Sequence, residues 1–342
     1  MDNFIFTCGD INGIGPEISI KAINMLFSEQ NYKLTLVIPK NVFEYYKGQI
    51  PIKFPYNFSD SFSNCDINNG IVSILEIGDS ELKIGKNTEN SGLSSYYAIL
   101  KAYELIKNKF GSAIITSPIS KEAWQMGGIK FTGHTELLAN LTDVNNYAMM
   151  FLSKGFKALL TTIHIPINSI SSNLSIQKII NTVLQAHSTL EFDLKIINPR
   201  IAVLGLNPHA GENGQLGNEE IDFIIPAIEI LKEQGINVEG PFVPDAFFGT
   251  KTHNKFDITV GMYHDQVLIP FKLLSFDEGV NFTAGLPIIR TSPDHGTAFD
   301  IARKLVANPN SLIQSFKWAR QIVKNRFCSL SKLQICKKTH IN

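Results

Sequence analysis

The sequence predicts an α/β fold with a largely parallel sheet, and two observations support this prediction. Short apolar runs alternate along the chain with stretches of helical periodicity, a pattern typical of strands joined by crossover helices. Polar and glycine-rich segments directly follow several of these runs, at the places where the strands of such sheets end. At 342 residues the chain is longer than a single hydrophobic core usually becomes, so two domains are expected.

The individual strands and helices follow from local sequence signals. The predicted strands are apolar runs over residues 3–7, 34–38, 112–116, 147–152, 156–162, 200–206 and 256–260. The predicted helices cover residues 16–28, 90–109, 175–188, 219–233, 297–305 and 311–326. Pro16 stands at a first helical position, where its missing N–H group is not needed for a hydrogen bond.

Composition excludes several classes of protein. The 31 basic residues balance 31 acidic ones, so the chain lacks the basic excess that binding to nucleic acid or to an acidic membrane needs. No apolar run is long enough for a membrane-spanning helix. The four cysteines, Cys8, Cys65, Cys328 and Cys336, form no CxxC pair, which favours reduced thiols and a cytoplasmic location.

Three histidines stand just past predicted strands. His164 follows the strand at 156–162, His209 follows the strand at 200–206, and His264 follows the strand at 256–260. Three imidazoles at one edge of a sheet, with a carboxylate such as Asp245 or Asp265, would suit zinc or another divalent transition ion. Spacing along the chain does not establish that they meet, so three ordinary structural histidines remain the alternative.

Two further segments suit anions. Gly133, His134, Thr135 and Glu136 open a helical stretch, whose free N–H groups favour phosphate or carboxylate. Downstream stand Lys272, Asn281 and Arg290, a cation, an amide and a planar guanidinium. Ordinary surface charge is the alternative for each of them taken singly.

Two glycine-containing turns remain. Residues 9–15 have the spacing GxxxGxG, which is neither the dinucleotide fingerprint nor a P-loop, and a purely structural turn is an equal alternative. Residues 292–298, SPDHGTA, form a turn before a predicted helix. This turn could hold part of a nucleotide, although a simple helix cap explains it as well.

Eight segments together resemble one known family: TCGDINGIGPEI, TSPISKEA, GHTELLA, TTIHIPI, LGLNPHAGENG, GPFVPDAFF, YHDQVLIPFK and GVNFTAGLPIIRTSPDHGTAFDIA. Their order and context are similar to those of the 4-hydroxythreonine-4-phosphate dehydrogenases of pyridoxal phosphate biosynthesis, from about Phe4 to Leu305. This chain departs from the family at Ile11, where proline is usual, and at Arg303, where glycine is common.

The resemblance implies an isocitrate/isopropylmalate dehydrogenase-like fold with two interwoven α/β domains and a cleft between them. A nucleotide-side domain is expected at residues 1–131 and 285–342, and a metal, substrate and dimerisation domain at residues 132–284. The resemblance also implies a homodimer whose metal ligands come from both subunits, so that the active site is shared across the interface.

The resemblance assigns roles to the residues already singled out. His164, His209 and His264 match the metal ligands, and Asp245 and Asp265 match acidic positions near the metal. The substrate-binding positions are His134, Thr135, Lys272, Asn281 and Arg290. The nucleotide loop comprises Asp294, His295, Gly296, Thr297 and Ala298. Lys121 is a candidate general base, with metal-bound water as the alternative.

The implied reaction is an NAD(P)-dependent, metal-assisted oxidation of 4-hydroxythreonine 4-phosphate. The β-keto acid would then lose carbon dioxide to give 3-amino-2-oxopropyl phosphate. The sequence leaves open whether the metal is zinc, cobalt, manganese or magnesium, and the lack of a basic cluster near residues 294–298 favours NAD over NADP. A dehydrogenase of threonate or erythronate 4-phosphate is an alternative, and a non-catalytic metabolite- or metal-binding protein is another.

Overall fold

The computed structural model describes residues 1–28, 31–60 and 70–339, with side chains as far as residue 327. The chain divides into two compact units, which we call unit 1 (Met1–Asn145 and Leu286–Val323) and unit 2 (Asn146–Gly285 and Lys324–Asn342). Cys65 and the side chains of Cys328 and Cys336 lie outside the described part, whereas Cys8 is a buried thiol without a disulfide.

The described residues form twelve strands and ten α-helices. The strands are β1 (Asn3–Thr7), β2 (Lys33–Ile38), β3 (Tyr56–Ser59), β4 (Val72–Glu76), β5 (Ala113–Thr116), β6 (Ala148–Leu152), β7 (Lys157–Leu160), β8 (Ile201–Leu204), β9 (Val238–Phe242), β10 (Ile258–Gly261), β11 (Val280–Ala284) and β12 (Arg290–Pro293). The helices are α1 (Gly15–Leu26), α2 (Lys40–Lys47), α3 (Glu89–Lys107), α4 (Lys121–Met126), α5 (His134–Leu141), α6 (Ile176–Ser188), α7 (Ile225–Glu233), α8 (Pro244–Gly249), α9 (His264–Ser275) and α10 (Asn310–Thr339).

Unit 1 is built on parallel strands in the order β3, β4, β2, β1, β5, β12. All five residues of β1 are buried, as expected for a central parallel strand covered on both faces. Helix α3 begins with a reciprocal cap, in which the Thr88 side chain accepts from the Ser91 N–H and the Ser91 side chain accepts from the Thr88 N–H.

Unit 2 has a mixed sheet in the order β11, β6, β7, β10, β8, β9. The pairs β11–β6 and β6–β7 are antiparallel, and the pairs from β7 through β10 and β8 to β9 are parallel. Val267, Leu268 and Phe271 of α9 join a buried cluster with Phe151 of β6 and Leu160 of β7. This apolar contact holds α9 against the sheet and so fixes the position of the first residue of the helix.

The α/β prediction is confirmed, but the helix expected at residues 297–305 is wrong. These residues form successive turns, with positive φ at Ala298 (44°) and Leu305 (55°). Lys21 Nζ donates to the carbonyl oxygens of Leu305 (2.8 Å) and Ala307 (3.1 Å), and this tertiary contact fixes the carbonyl groups in a non-helical path. No helix among the described residues is long and apolar enough to cross a bilayer.

The division into units differs from the predicted domains at two places. Residues 132–145 belong to unit 1, where the Tyr103 hydroxyl donates to Leu141 O at 2.6 Å and so attaches α5 to α3. Residues from Lys324 onward group with unit 2, because Arg326 Nε and Nη2 donate to the two carboxylate oxygens of Asp193 at 2.7 and 3.0 Å. His134 and Thr135 therefore lie in unit 1, whereas His164, His209 and His264 lie in unit 2.

Candidate active site

Three neighbouring parallel strands of unit 2 lead to the three histidines. β10 pairs with β7 on one side and with β8 on the other. His164 follows β7, His264 is the first residue of α9 after β10, and His209 follows β8. Since parallel strands end at the same edge of a sheet, all three segments leave the sheet at one edge, as the sequence predicts.

Side-chain hydrogen bonds tie these three strand ends together. Thr162, two residues before His164, donates from N (3.1 Å) and Oγ1 (2.6 Å) to the carbonyl oxygen of Met262. Gln266 is 9% exposed, accepts from Met262 N at 2.7 Å and donates from Nε2 to Gly205 O at 2.6 Å. Sequence reasoning missed Gln266, whose only signal was its place in the YHDQ segment beside His264.

The imidazoles of His164 and His264 are brought close, with ring centroids 5.7 Å apart. His264 Nδ1 donates to Asp265 Oδ1 at 2.7 Å, an arrangement that leaves Nε2 available as a ligand atom. Two imidazoles with an adjacent carboxylate are a donor set that suits a divalent transition ion.

His209 and Asp245 are exposed at the end of β8 and the start of α8, respectively. In the part of the chain that the structure describes, no three His, Cys, Asp or Glu side chains are gathered closely enough to hold a metal. The meeting of His209 with His164 and His264 on one ion therefore stays a prediction.

The loop that carries His209 has an unusual backbone. Residues His209, Ala210, Gly211, Glu212 and Asn213 all have positive φ, between 42° and 79°. The left-handed region costs a non-glycine residue on the order of 1 kcal/mol, so this run needs support from its surroundings. Gly211 lies directly against Glu220, because a Cβ at this position would be 2.6 Å from Glu220 Oε2.

Glu220 supplies that support. It is 1% exposed, and its Oε1 accepts from the backbone N–H groups of Leu206 at 2.6 Å and Asn207 at 2.8 Å. Its Oε2 accepts from Asn207 Nδ2 at 2.9 Å. Sequence reasoning included this residue only in a predicted helix, and no local pattern indicates its partnership with the histidine loop.

Unit 1 contains a buried, positively charged side chain. Arg290, the first residue of β12, is 3% exposed and donates from Nε (3.0 Å) and Nη2 (2.9 Å) to Thr116 Oγ1. Burial lowers the pKa of Arg290 to about 9. His134 opens α5, as predicted, and burial, followed by the charge of Arg290, lowers the pKa of His134 well below its usual value.

Among the predicted substrate-binding residues, one in each unit has a buried polar atom that could bind a ligand. His134 Nε2 is buried and has no hydrogen-bond partner among the described residues, and the His134 ring is neutral at pH 7 because its pKa is lowered. Asn281 on β11 of unit 2 likewise has a buried Oδ1 without a partner in the described chain. Lys272, on the last turn of α9, is half-buried with Nζ 6.0 Å from the Phe276 ring centre. Thr135 is half-buried at the start of α5.

The predicted nucleotide loop, Asp294–Ala298, contacts the GxxxGxG turn of residues 9–15. Ile14 N donates to Thr297 O at 2.9 Å, and a Cβ on Gly13 would lie 2.7 Å from the same oxygen. Gly13 therefore allows the close approach of the two loops. Lys121 is an exposed residue at the start of α4.

Asn12 connects this turn to a third segment. Its Nδ2 donates to Lys86 O (3.0 Å) and Thr88 Oγ1 (3.1 Å), and its Oδ1 accepts from Lys83 N (2.7 Å). Arg303, one of the two departures from the family pattern, donates from Nε to Ile84 O at 3.1 Å. The arginine at this position thus adds a hydrogen bond between residues 83–88 and the turns that follow residue 298.

Comparisons with known proteins agree with this geometry. The chain is 40% identical over 316 residues to 4-hydroxythreonine-4-phosphate dehydrogenase of Desulforapulum autotrophicum, covering 92% of this chain and 93% of the relative. A relative from Oceanobacillus iheyensis, provisionally named a D-threonate 4-phosphate dehydrogenase, is 38% identical over 325 residues. The alignment covers 94% of this chain and 97% of the relative. The crystal structure of 4-hydroxythreonine-4-phosphate dehydrogenase from Klebsiella pneumoniae matches with a TM-score of 0.81 and 34% identity, covering 94% of this chain and 100% of that one.

The fold and the relatives define an α/β dehydrogenase, an enzyme of the oxidoreductase class. A family profile, "Pyridoxal phosphate biosynthetic protein PdxA", matches residues 30–319. The chain belongs to this family, and the resemblance drawn from its sequence motifs is confirmed.

Proposed function

We propose that this enzyme oxidises 4-hydroxythreonine 4-phosphate with NAD to a β-keto acid, which loses carbon dioxide to give 3-amino-2-oxopropyl phosphate. The observation that carries the proposal is the buried guanidinium of Arg290, held by Thr116 beside His134. The guanidinium presents planar N–H donors that match phosphate oxygens, and its burial strengthens the attraction to an anion.

The substrate would be held through groups of different chemistry. Arg290 and Lys272 supply positive charge for the phosphate, and the neutral His134 ring supplies a hydrogen bond without adding charge. Asn281 Oδ1 can accept from a hydroxyl or amino group. Thr135 belongs to the same proposed set through its position next to His134.

His164, His209 and His264 would hold a divalent metal, with Asp265 orienting the His264 ring and Asp245 as a further acidic group. Zinc, cobalt, manganese or magnesium, when bound, would polarise the substrate hydroxyl and favour loss of its proton. Lys121 is the proposed acceptor of that proton.

The turn Asp294–Ala298 would hold the nicotinamide cofactor, which accepts the hydride. Its carbonyl at Thr297 is fixed by Ile14, so the turn is prepared before the cofactor binds. NAD is favoured over NADP because no basic cluster flanks residues 294–298 in the sequence.

A homodimer with shared active sites is part of this proposal. Ile269, Leu273 and Phe276 are 60%, 82% and 77% exposed, and their spacing places them on one face of α9 and its C-terminal end. The same helix begins with His264 and carries Lys272, so a second copy of the chain covering this apolar stripe would adjoin the site. Sedimentation velocity should give a dimer, and Leu273→Asp should shift the species toward monomer, whereas Leu184→Asp on α6 should not.

The substrate requires a direct test, because the relative from Oceanobacillus iheyensis bears a threonate phosphate name. Steady-state NADH formation should be compared with 4-hydroxythreonine 4-phosphate and with threonate 4-phosphate, each with the metals named above. We expect the larger kcat/KM with the amino acid phosphate. A large preference for threonate 4-phosphate would replace the proposed substrate, and the absence of NADH with either would overturn the proposed function.

The proposed location is the cytoplasm. Cys8 is a buried thiol, and burial, followed by the charge of Asp10, raises its pKa, so it stays protonated and unreactive. A free thiol of this kind is compatible with a reducing compartment.

A further inference from the structure

We infer that Glu220 is a positioning residue for His209, and that its carboxylate fixes the loop that presents this imidazole to the metal. The inference rests on the proposed function, in which His209 is a metal ligand. It concerns a residue that is 1% exposed and contacts the backbone of the loop.

The carboxylate binds the chain immediately before the histidine. Leu206 and Asn207 both donate their backbone N–H groups to Glu220 Oε1, at 2.6 and 2.8 Å. The next residue, Pro208, has no N–H group, so these are the last two backbone donors before His209. Their common acceptor sets the direction in which the chain leaves β8.

The carboxylate also lies against the middle of the loop. A Cβ on Gly211 would be 2.6 Å from Glu220 Oε2, so the glycine backbone passes directly over this oxygen. Between the two contacts stand His209 and Ala210, with φ of 51° and 50°. A strained conformation persists only where the surroundings determine it, and here one buried side chain contacts the loop on both sides of the histidine.

The Asn207 side chain also contacts the Glu220 carboxylate, and changes at these two residues can test the inference. Its Nδ2 donates to Glu220 Oε2 at 2.9 Å and to Glu219 Oε2 at 2.7 Å. Glu220→Gln keeps one oxygen for the two backbone N–H groups but turns an N–H₂ group toward the Asn207 amide nitrogen. Asn207→Asp turns a carboxylate toward Glu220. When the two changes are combined, the side chain at position 220 donates and the side chain at position 207 accepts, which is the reverse of the unaltered pair.

The experiment is a calorimetric titration of metal-free protein with Co²⁺, for the unaltered chain, E220Q, N207D, the double variant E220Q/N207D and E219Q. We expect E220Q and N207D each to weaken Co²⁺ binding by about 10- to 100-fold, the usual effect of losing support behind a metal ligand. The double variant should recover part of this loss, because the donor opposite position 207 is restored at Glu220 but the new carboxylate still faces that of Glu219. E219Q removes a neighbouring charge without touching the backbone N–H groups, so its affinity should stay near that of the unaltered chain.

The sign of the N207D effect separates positioning from simple electrostatics. An added negative charge near the site would strengthen cation binding, whereas a disturbed loop weakens it. Thermal unfolding of each metal-free variant provides the second readout. A lower melting temperature with unchanged Co²⁺ affinity would show a purely structural role and overturn the inference. If E220Q fails to fold, N207D and the double variant decide in the same way.

Failure of the inference is distinguishable from failure of the proposed function. Unchanged Co²⁺ affinity in both single variants would overturn the inference and leave the dehydrogenase assignment standing. Absence of Co²⁺ binding by the unaltered chain would overturn the inference together with the metal part of the proposed function. Supporting affinities combined with no NADH formation would overturn the proposed function alone.

Discussion

Arg290 directs two guanidinium N–H groups, Nε and Nη2, at one hydroxyl oxygen, Thr116 Oγ1, at 3.0 and 2.9 Å. The residues lie on adjacent parallel strands, β12 and β5, so the sheet holds the guanidinium in a fixed orientation. A guanidinium held in one orientation suits phosphate oxygens, which accept from its planar N–H groups.

Removing this cation should affect the substrate and not the nucleotide. For Arg290→Ala we expect the KM of the phosphorylated substrate to rise about 10- to 100-fold, because an ionic hydrogen bond to phosphate is lost, with the KM of NAD nearly unchanged. Thr116→Val, which keeps the charge but removes the acceptor, should give a smaller rise. Equal rises in both KM values for Arg290→Ala would exclude a dedicated phosphate role.

His209 should be needed for metal and activity but not for folding. Its side chain is exposed, so His209→Ala should leave the melting temperature of the metal-free protein within a few degrees while abolishing tight metal binding and turnover. His187→Ala on α6 serves as a control because this histidine belongs to none of the three strand-end segments and lies 3.6 Å from Glu191. Retained metal and near-normal turnover in His209→Ala would contradict the assignment.

Gln266 should matter through its amide group and not through its size. Gln266→Glu is nearly isosteric but replaces the donor to Gly205 O by an oxygen, leaving two buried acceptors face to face. We expect the free energy of unfolding, measured in urea, to fall by about 1–3 kcal/mol. Metal affinity should fall with it, since two histidine-bearing strand ends lose their connection. Gln177→Glu, on the exposed surface of α6, should change neither quantity.

Asn12 should influence the nucleotide and not the phosphorylated substrate. Asn12→Ala removes the hydrogen bonds to residues 83–88 and loosens the turn whose Ile14 N–H fixes Thr297 O. The KM of NAD should rise several-fold while that of the substrate changes little. Matching steady-state titrations of both ligands test this, and a rise confined to the substrate would disprove the nucleotide assignment of residues 294–298.

Asp10 should give the stability of the enzyme a distinct pH dependence. Burial raises its pKa from 3.8 to about 6, although hydrogen bonds from Asn12 N and Ser91 Oγ favour the charged form. The folded state therefore holds this proton more tightly than the unfolded state. Its contribution to stability is present below pH 4 and is lost as the pH rises to about 6, by up to about 3 kcal/mol.

Asp10→Asn removes this titration and keeps an oxygen for the Asn12 N–H group. The unfolding free energies of the variant and the unaltered chain should agree near pH 4, and the variant should be more stable above pH 6. Urea unfolding between pH 4 and pH 8 measures the difference. Two curves that remain parallel over this range would show that Asp10 does not titrate there.

The parts of the fold that the sequence predicts are those with local causes. β1 follows from an uninterrupted apolar run, and the histidine segments follow from polar residues placed directly after apolar ones. The helix expected at residues 297–305 is wrong because this segment makes hydrogen bonds with residues far away in the chain, among them Lys21 and Ile14. Strands β11 and β12 escape prediction because VNFTA and RTSP are short and carry polar residues.

The supporting residues of the site are beyond local patterns for a related reason. Glu220 and Gln266 are polar side chains in the interior, and each is identified only by the backbone groups that meet it in the folded chain. A sequence read along its length gives candidate ligands at strand ends, whereas the atoms that hold those ligands come from elsewhere in the topology. For Arg290, the sequence predicts a role in binding an anion, but it does not predict that the side chain is buried.

The left-handed backbone from His209 to Asn213 limits which sequences this enzyme can adopt as it evolves. β-Branched residues at Ala210, Glu212 or Asn213 would suffer steric conflict in that conformation, whereas glycine or asparagine would fit at little cost. Natural variation at these three positions should accordingly exclude β-branched side chains but allow side chains of either charge. An engineer seeking a more robust enzyme would begin with Ala210→Gly, since the change relieves the strain of a positive φ and leaves the His209 side chain unaltered.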